Sequence, residues 1–257
     1  MSAARLETPR GCTVGVIQVP DGILFFKNRD LASQYLTNRT MVWQSTHDHH
    51  VLKGANLKTG ALQGIAIGVN RYGVCVANTH LCSPPDVTYA LLGEELVRQA
   101  RSREDIPAVV EGFVAENTVQ GGKILVASPA WTLLIEVLGD EFRIQDFEGN
   151  FVMTNDFSLI SHEPDRAEVH RQSSRIRHEV AWGMIETVSS TGALKGMLRS
   201  HLPKKGPYSI CNHGLDGFGT ESSHIIEVRS GYVAWAHLAG FPCENDYQTV
   251  RLFEIDG

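Results

Sequence analysis

The sequence has no apolar run long enough to cross a bilayer. Stretches such as residues 14–19 and 23–26 fall far short of the roughly 20 residues a spanning helix needs. It has no basic excess either: 23 Lys and Arg against 29 Asp and Glu give a net charge of −6 and a pI near 6.0, so a nucleic-acid partner has no electrostatic footprint to dock on. Cysteines are few, at positions 12, 75, 82, 211 and 243, odd in number and without a C-x-x-C pair. That set fits a reducing cytosol better than a disulfide framework, and the expected location is cytoplasmic. The opening MSAARLETPRG carries Arg5 and Arg10 but no apolar core, so it does not read as a secretory signal. There is no internal repeat, low-complexity tract or linker. With 42% hydrophobic and 20% charged residues in 257, the chain reads as one soluble domain with a substantial core.

Turn chemistry organises what is present. Residues 12–19 are rich in β-branched side chains, Pro20-Asp21-Gly22 is a turn, and 23–28 is a second apolar run, so the spacing predicts a hairpin. A polar stretch covers 37–59, and a second hairpin spans 64–70 and 74–78 around Arg71-Tyr72-Gly73. Leu92, Leu96 and Ala100 recur every four residues within a helix over 89–101, and Asp105 is placed to cap a short helix after it. Strands return at 123–127, 132–138, 141–147 and 151–154, then a helix over 166–188, then strands at 222–228, 232–237 and 249–255. Hairpins grouped apart from helices predict antiparallel α+β layers rather than a doubly wound parallel sheet.

A catalytic thiol must ionise near neutral pH, against a free value of about 8.5. One way is to make the cysteine residue one, so that its own α-amine, titrating at roughly 7.7–8.0, serves as the base. Cys12 suits this: it opens the first strand, everything before it is short and unpatterned, and Gly11 tolerates the distorted backbone that attack on the preceding peptide requires. On position alone, a small buried thiol at a strand start is the equal rival. Cys75 and Cys82 read as packing residues.

Gly11-Cys12-Thr13, the Asp21-Gly22 turn and Lys27-Asn28-Arg29-Asp30 resemble the opening of the choloylglycine hydrolase and penicillin V acylase superfamily of N-terminal-nucleophile (Ntn) hydrolases. The stretches Ile210-Cys211-Asn212-His213, Gly219-Thr220-Glu221-Ser222-Ser223 and Ala239-Gly240-Phe241-Pro242-Cys243-Glu244-Asn245 resemble its isopenicillin-N acyltransferase-like branch. The resemblance implies an αββα sandwich, a propeptide of residues 1–11 and a catalytic domain of 12–257. It implies Cys12 as nucleophile, Asp30 holding the free α-amine, and an oxyanion hole from the Asn78 main-chain N–H and the Asn155 side chain. It also implies Arg175, in Ser173-Ser174-Arg175, as electrostatic support. Where that superfamily usually has arginine, this chain has Lys27, which keeps the charge but not the planar fork. On a strand, Arg29 faces away from Asn28 and Asp30.

The implied chemistry is cleavage of a linear amide through an acyl-enzyme, resolved by water or by a second amine. A small-molecule amide or acyl donor is the expected partner, without nucleic acid, membrane, cofactor or metal; a homo-oligomer is compatible. The alternative is a non-catalytic binding or trafficking protein on the same scaffold, because Asn28-Arg29-Asp30 also resembles the start of an Asn-Arg-Asp-Glu motif; here Leu31 replaces the glutamate. His47-Asp48-His49-His50 lacks metal-ligand spacing, Gly64 and Gly68 form no dinucleotide pattern, and Cys211 with His213 is too close in sequence for a general-base dyad and reads as structural.

Overall fold

The first hairpin pairs β1 (Cys12–Val19) with β2 (Gly22–Ala32) through a turn in which Asp21 takes φ 65°, a left-handed value that Asp accepts more readily than most residues. A computed structural model describes residues 11–32, 41–55, 62–81, 88–162, 168–214 and 218–255. The further strands are β3 (Trp43–Ser45), β4 (His49–Ala55), β5 (Leu62–Asn70), β6 (Cys75–His80), β7 (Val119–Ser128), β8 (Trp131–Gly139), β9 (Glu141–Phe147), β10 (Phe151–Met153), β11 (Phe218–Arg229), β12 (Tyr232–Ala239) and β13 (Gln248–Glu254). The helices are α1 (Thr88–Gln99), α2 (Asp105–Glu116), α3 (Glu168–Ile185) and α4 (Thr191–Leu198). One sheet runs β10-β1-β2-β11-β12-β13 and the other β3-β4-β5-β6-β7-β8-β9; their strand pairs are antiparallel.

The two sheets face each other across a core holding Val14, Val16, Ile23 and Phe25 on one side and Ile67, Val69, Ala77, Leu125 and Leu134 on the other. The opposite face of the first sheet, with Ile17, Leu24 and Phe26, packs on α3 and α4 through Ala181, Ile185, Leu194 and Leu198. The opposite face of the second, with Ile65, Val76, Ile124 and Ile135, packs on α1 and α2 through Leu92, Leu96, Ile106 and Val110. The layers are therefore α, β, β, α, as expected. Both faces of β2 are covered, which is why residues 23–26 form an unbroken apolar run instead of alternating. Each such side chain taken from water contributes about 1.5–3 kcal/mol.

Two local expectations change. The polar stretch over 37–59 contains strands β3 and β4, because Val51 packs toward α1 and Leu52 toward the inter-sheet core; histidines and Lys53 around them mask the alternation. His50 there stacks on Trp43 at 5.2 Å. Asp105 opens α2, but its carboxylate accepts from the N–H groups of Arg101 and Ser102 at 2.7 and 2.9 Å, closing the turn before the helix rather than capping it. Among the described residues, no helix is long and apolar enough to cross a membrane.

Candidate active site

Pleating of β2 divides its polar end between two compartments. Lys27 and Arg29 share the face of Ile23 and Phe25, whereas Asn28 and Asp30 share that of Leu24 and Phe26. Cys12 lies opposite Arg29 in the β1–β2 register, half-buried against the inter-sheet core.

The Gly11–Cys12 peptide is held on all sides. The Asp30 N–H donates to the Gly11 carbonyl at 3.1 Å, and the Cys12 N–H donates to Asn155 Oδ1 at 2.6 Å. Arg177 Nη1 donates to the Cys12 carbonyl at 2.8 Å and to Thr13 Oγ1 at 3.1 Å, while Nη2 reaches Asn155 Oδ1 at 3.3 Å. A side chain at position 11 has no room: a Cβ there would lie 2.6 Å from Arg177 Nη2 and 3.1 Å from Asp30 Oδ2. A larger residue at position 11 would have to displace the Arg177 guanidinium, a reason for glycine beyond conformational tolerance.

Asp30 is buried, and its oxygens accept from Thr220 Oγ1 at 2.8 Å and Asn212 Nδ2 at 3.0 Å. Burial pushes its carboxyl up to about 6, against the opposing pull of Arg177, the two hydrogen bonds and Lys27. Lys27 is equally buried and donates to the carbonyls of Ala66 at 2.9 Å and Asn78 at 2.6 Å, tying the two sheets together. Burial lowers its ammonium to about 8; the charges of Cys12, Asp30 and Glu221 work against that shift and Arg29 adds to it. Arg29 pairs with Glu221 at 3.3 Å.

Of the residues chosen from the sequence, Cys12, Asp30 and Asn155 converge. Asn155 is anchored by its N–H to Ser174 Oγ at 2.9 Å and by its Nδ2 to the His80 carbonyl at 3.0 Å. Asn78 turns its side chain to the Ile65 carbonyl at 2.7 Å and presents its main-chain carbonyl to Lys27.

Arg175 is not at the site. It is exposed on α3 and binds Glu168 Oε1 at 2.6 Å. The arginine beside Cys12 is Arg177, two positions on. Two residues apart on a helix is about 200° of rotation, so only one of the pair can face the sheet. Arg177 belongs to the buried stripe of Ser173, Ser174, Ala181 and Ile185. That spacing of small residues was the available signal. Lys27, Asn212 and Thr220 complete the site; they lie within stretches that carry the resemblance, but no sequence pattern assigns them to Asp30 or Cys12. The Gly11–Cys12 junction lies within the described residues and the rest of the expected propeptide outside them.

No protein-family profile and no curated sequence matches the chain. Solved structures do. A Caenorhabditis elegans ortholog of N-acylethanolamine-hydrolyzing acid amidase superposes with a TM-score of 0.51 at 13% identity, over 84% of this chain and 92% of that one. Penicillin V acylase from Agrobacterium tumefaciens gives 0.50 at 9% identity, over 89% and 82%. The fold is that of the Ntn hydrolases. A conjugated bile acid hydrolase from Clostridium perfringens covers 96% of this chain and 99% of its own at 10% identity, with a TM-score of 0.49. In this fold, Cys12 is the first residue of β1 and packs, half-buried, against the core between the sheets.

Proposed function

We propose that the protein is a cysteine-nucleophile amidase or N-acyltransferase acting on a small linear amide, matured by cleavage between Gly11 and Cys12. The observation that carries this reading is the set of hydrogen bonds that clamps that one peptide, with the Asp30 N–H on its carbonyl and Asn155 on its nitrogen. The structures it resembles, an acid amidase and an acylase, agree in reaction class.

In maturation, the Cys12 thiol attacks the Gly11 carbonyl carbon, and the Asp30 N–H steadies the developing oxyanion. The C–N bond breaks, the nitrogen retains the proton given up by the thiol, and a thioester remains. Water then releases the Gly11 carboxylate and restores the thiol. The new α-amine takes the thiol proton in each later cycle, held by Asn155 Oδ1 and by the ionised Asp30.

The thiolate attacks the substrate carbonyl, the amine product leaves with the proton, and water or a second amine resolves the acyl-enzyme. We assign the oxyanion hole to the Asn78 main chain and the Asn155 side chain, each donor worth about 3–4 kcal/mol of barrier. Arg177 and the Lys27 ammonium favour the thiolate. The odd, scattered cysteines support a reducing cytoplasm as its location.

Intact-mass measurement on freshly purified protein tests the reading. The expected species lacks residues 1–11, and Cys12→Ala retains them. A full-length wild-type chain whose Cys12 ignores iodoacetamide would instead make this a binding protein on the same scaffold.

A further inference from the structure

Outside the Cys12 site, four soft ligands converge from three segments. His201 follows α4, Cys211 and His213 flank Asn212 ahead of β11, and Cys243 lies in the turn after β12. Their ligand atoms all lie within 4.8 Å of one another. His213 Nε2 is 3.1 Å from His201 Nε2, 3.1 Å from Cys243 Sγ and 3.5 Å from Cys211 Sγ. Zinc bonded to sulfur at about 2.3 Å and to nitrogen at about 2.0–2.1 Å sets tetrahedron edges of roughly 3.3–3.8 Å, close to these separations.

Hydrogen bonding among the four does not explain the geometry. One imidazole nitrogen offers a single proton or a single lone pair, yet His213 Nε2 meets three polar partners. A central cation satisfies all four ligands together.

We propose that His201, Cys211, His213 and Cys243 form a closed Cys2His2 site for one zinc ion. Two thiolates and two imidazoles are the donor set and softness that zinc takes, and four protein ligands leave no position for a substrate, so the ion is structural. The surroundings are built to hold the ligands. Cys211 N–H donates to the Ser200 carbonyl at 3.0 Å and Ser209 Oγ to the Cys211 carbonyl at 2.6 Å. His213 N–H donates to the Gly206 carbonyl at 3.2 Å, and its ring stacks on Phe241 at 4.1 Å. The spacing, nine residues from His201 to Cys211, one to His213 and 29 to Cys243, matches no short motif, which is why Cys211 and His213 read in isolation as merely structural.

The ion also has a consequence for the site at Cys12. Asn212, between two ligands, is the residue whose Nδ2 binds Asp30 Oδ2. A metal pinning positions 211 and 213 fixes that contact, so zinc acts on Asp30 as a positioning device at one remove. The metal site itself does not depend on the amidase reading.

The test uses untagged full-length protein and, in parallel, Cys12→Ala, so that the result is independent of maturation and activity. Elemental analysis should find one equivalent of zinc. After chelation, titration with Co2+ should saturate at one equivalent, with a thiolate-to-cobalt charge-transfer band and the intense visible bands of tetrahedral cobalt. Cys243→Ser and His201→Ala should weaken binding by about a hundredfold or more, beyond the 10- to 100-fold typical of an outer-shell change. His201→Cys should retain one equivalent, with a spectrum shifted toward three sulfurs, which separates ligand loss from misfolding. Substoichiometric metal with only weak octahedral cobalt bands would overturn the proposal. So would a chain two hydrogens lighter through a Cys211–Cys243 disulfide in protein prepared under reducing conditions.

Discussion

The main-chain N–H of Asp30 donates to the carbonyl oxygen of Gly11 at 3.1 Å, so the strand that carries the acidic side chain also polarises the peptide at which we propose cleavage. Gly11 is confined there by Arg177 and Asp30. Gly11→Val is expected to slow maturation at least tenfold, which needs only about 1.4 kcal/mol of misplacement in the transition state. The ratio of full-length to shortened chain, followed by mass spectrometry over time, reads this directly. Equal rates for glycine and valine would remove the clamped peptide from the mechanism.

Arg175 and Arg177 should separate cleanly. Arg175→Ala removes an exposed ion pair with Glu168 and is expected to change stability by less than about 0.5 kcal/mol and leave kcat/KM unaltered. Arg177→Ala removes the donors on the Cys12 carbonyl, Thr13 and Asn155, and is expected to lower kcat/KM about a hundredfold or more. Urea denaturation of both variants keeps loss of folding distinct from loss of chemistry.

The pH profile of kcat/KM should be a bell with an acidic limb near 6, where Asp30 ionises, and an alkaline limb near 8. Lys27, whose ammonium supports the thiolate in the proposed mechanism, is the group that sets the alkaline limb. Lys27→Arg should move that limb up; a limb that stays in place would remove Lys27 from this role.

Stability should follow a different course. Between 3.8 and about 6 the folded chain keeps a proton on Asp30 that the unfolded chain releases, so this carboxyl contributes less stability as pH rises through that window. Between about 8 and 10.5 the unfolded chain keeps the Lys27 proton that the folded chain has lost, so its contribution rises with pH. Urea midpoints of Asp30→Asn and Lys27→Met against wild type across both windows should show the dependence removed.

In the proposed reaction, an acyl-enzyme on Cys12 is the shared intermediate of hydrolysis and transfer. Incubation with an activated acyl donor should add the acyl mass to the peptide beginning at Cys12, and hydroxylamine should release it as the hydroxamate. Supplying a candidate acceptor amine and comparing free acid with transferred product then sorts amidase from acyltransferase. Label on another cysteine would argue against Cys12 as nucleophile.

The layering was legible because the signals were local. The hairpins around Asp21-Gly22 and Arg71-Tyr72-Gly73 announce themselves by turn chemistry, and α1 by its four-residue repeat. Strands β3 and β4 were not legible, because the adjacent apolar pair Val51 and Leu52 serves opposite faces and polar residues surround it. Residue choice at the site was legible only to within a turn of helix. Ser173-Ser174 pointed to the right part of α3 but to Arg175 instead of Arg177, since a linear motif carries no helical phase. The quartet of His201, Cys211, His213 and Cys243 lay beyond reach, because it exists only once three segments have folded together.

The alternation along β2 has a consequence for how this chain can vary. Eight consecutive residues after Gly22, Ile23 to Asp30, send every odd side chain into one compartment and every even one into the other, with no neutral position between. Adding or deleting one residue between Gly22 and Lys27 would exchange the contents of both compartments, putting Asp30 where Arg29 belongs and Phe25 where Phe26 packs. Point substitutions can tune this strand one contact at a time. Its length is fixed, and related sequences should show insertions and deletions in the loops while this segment keeps its count.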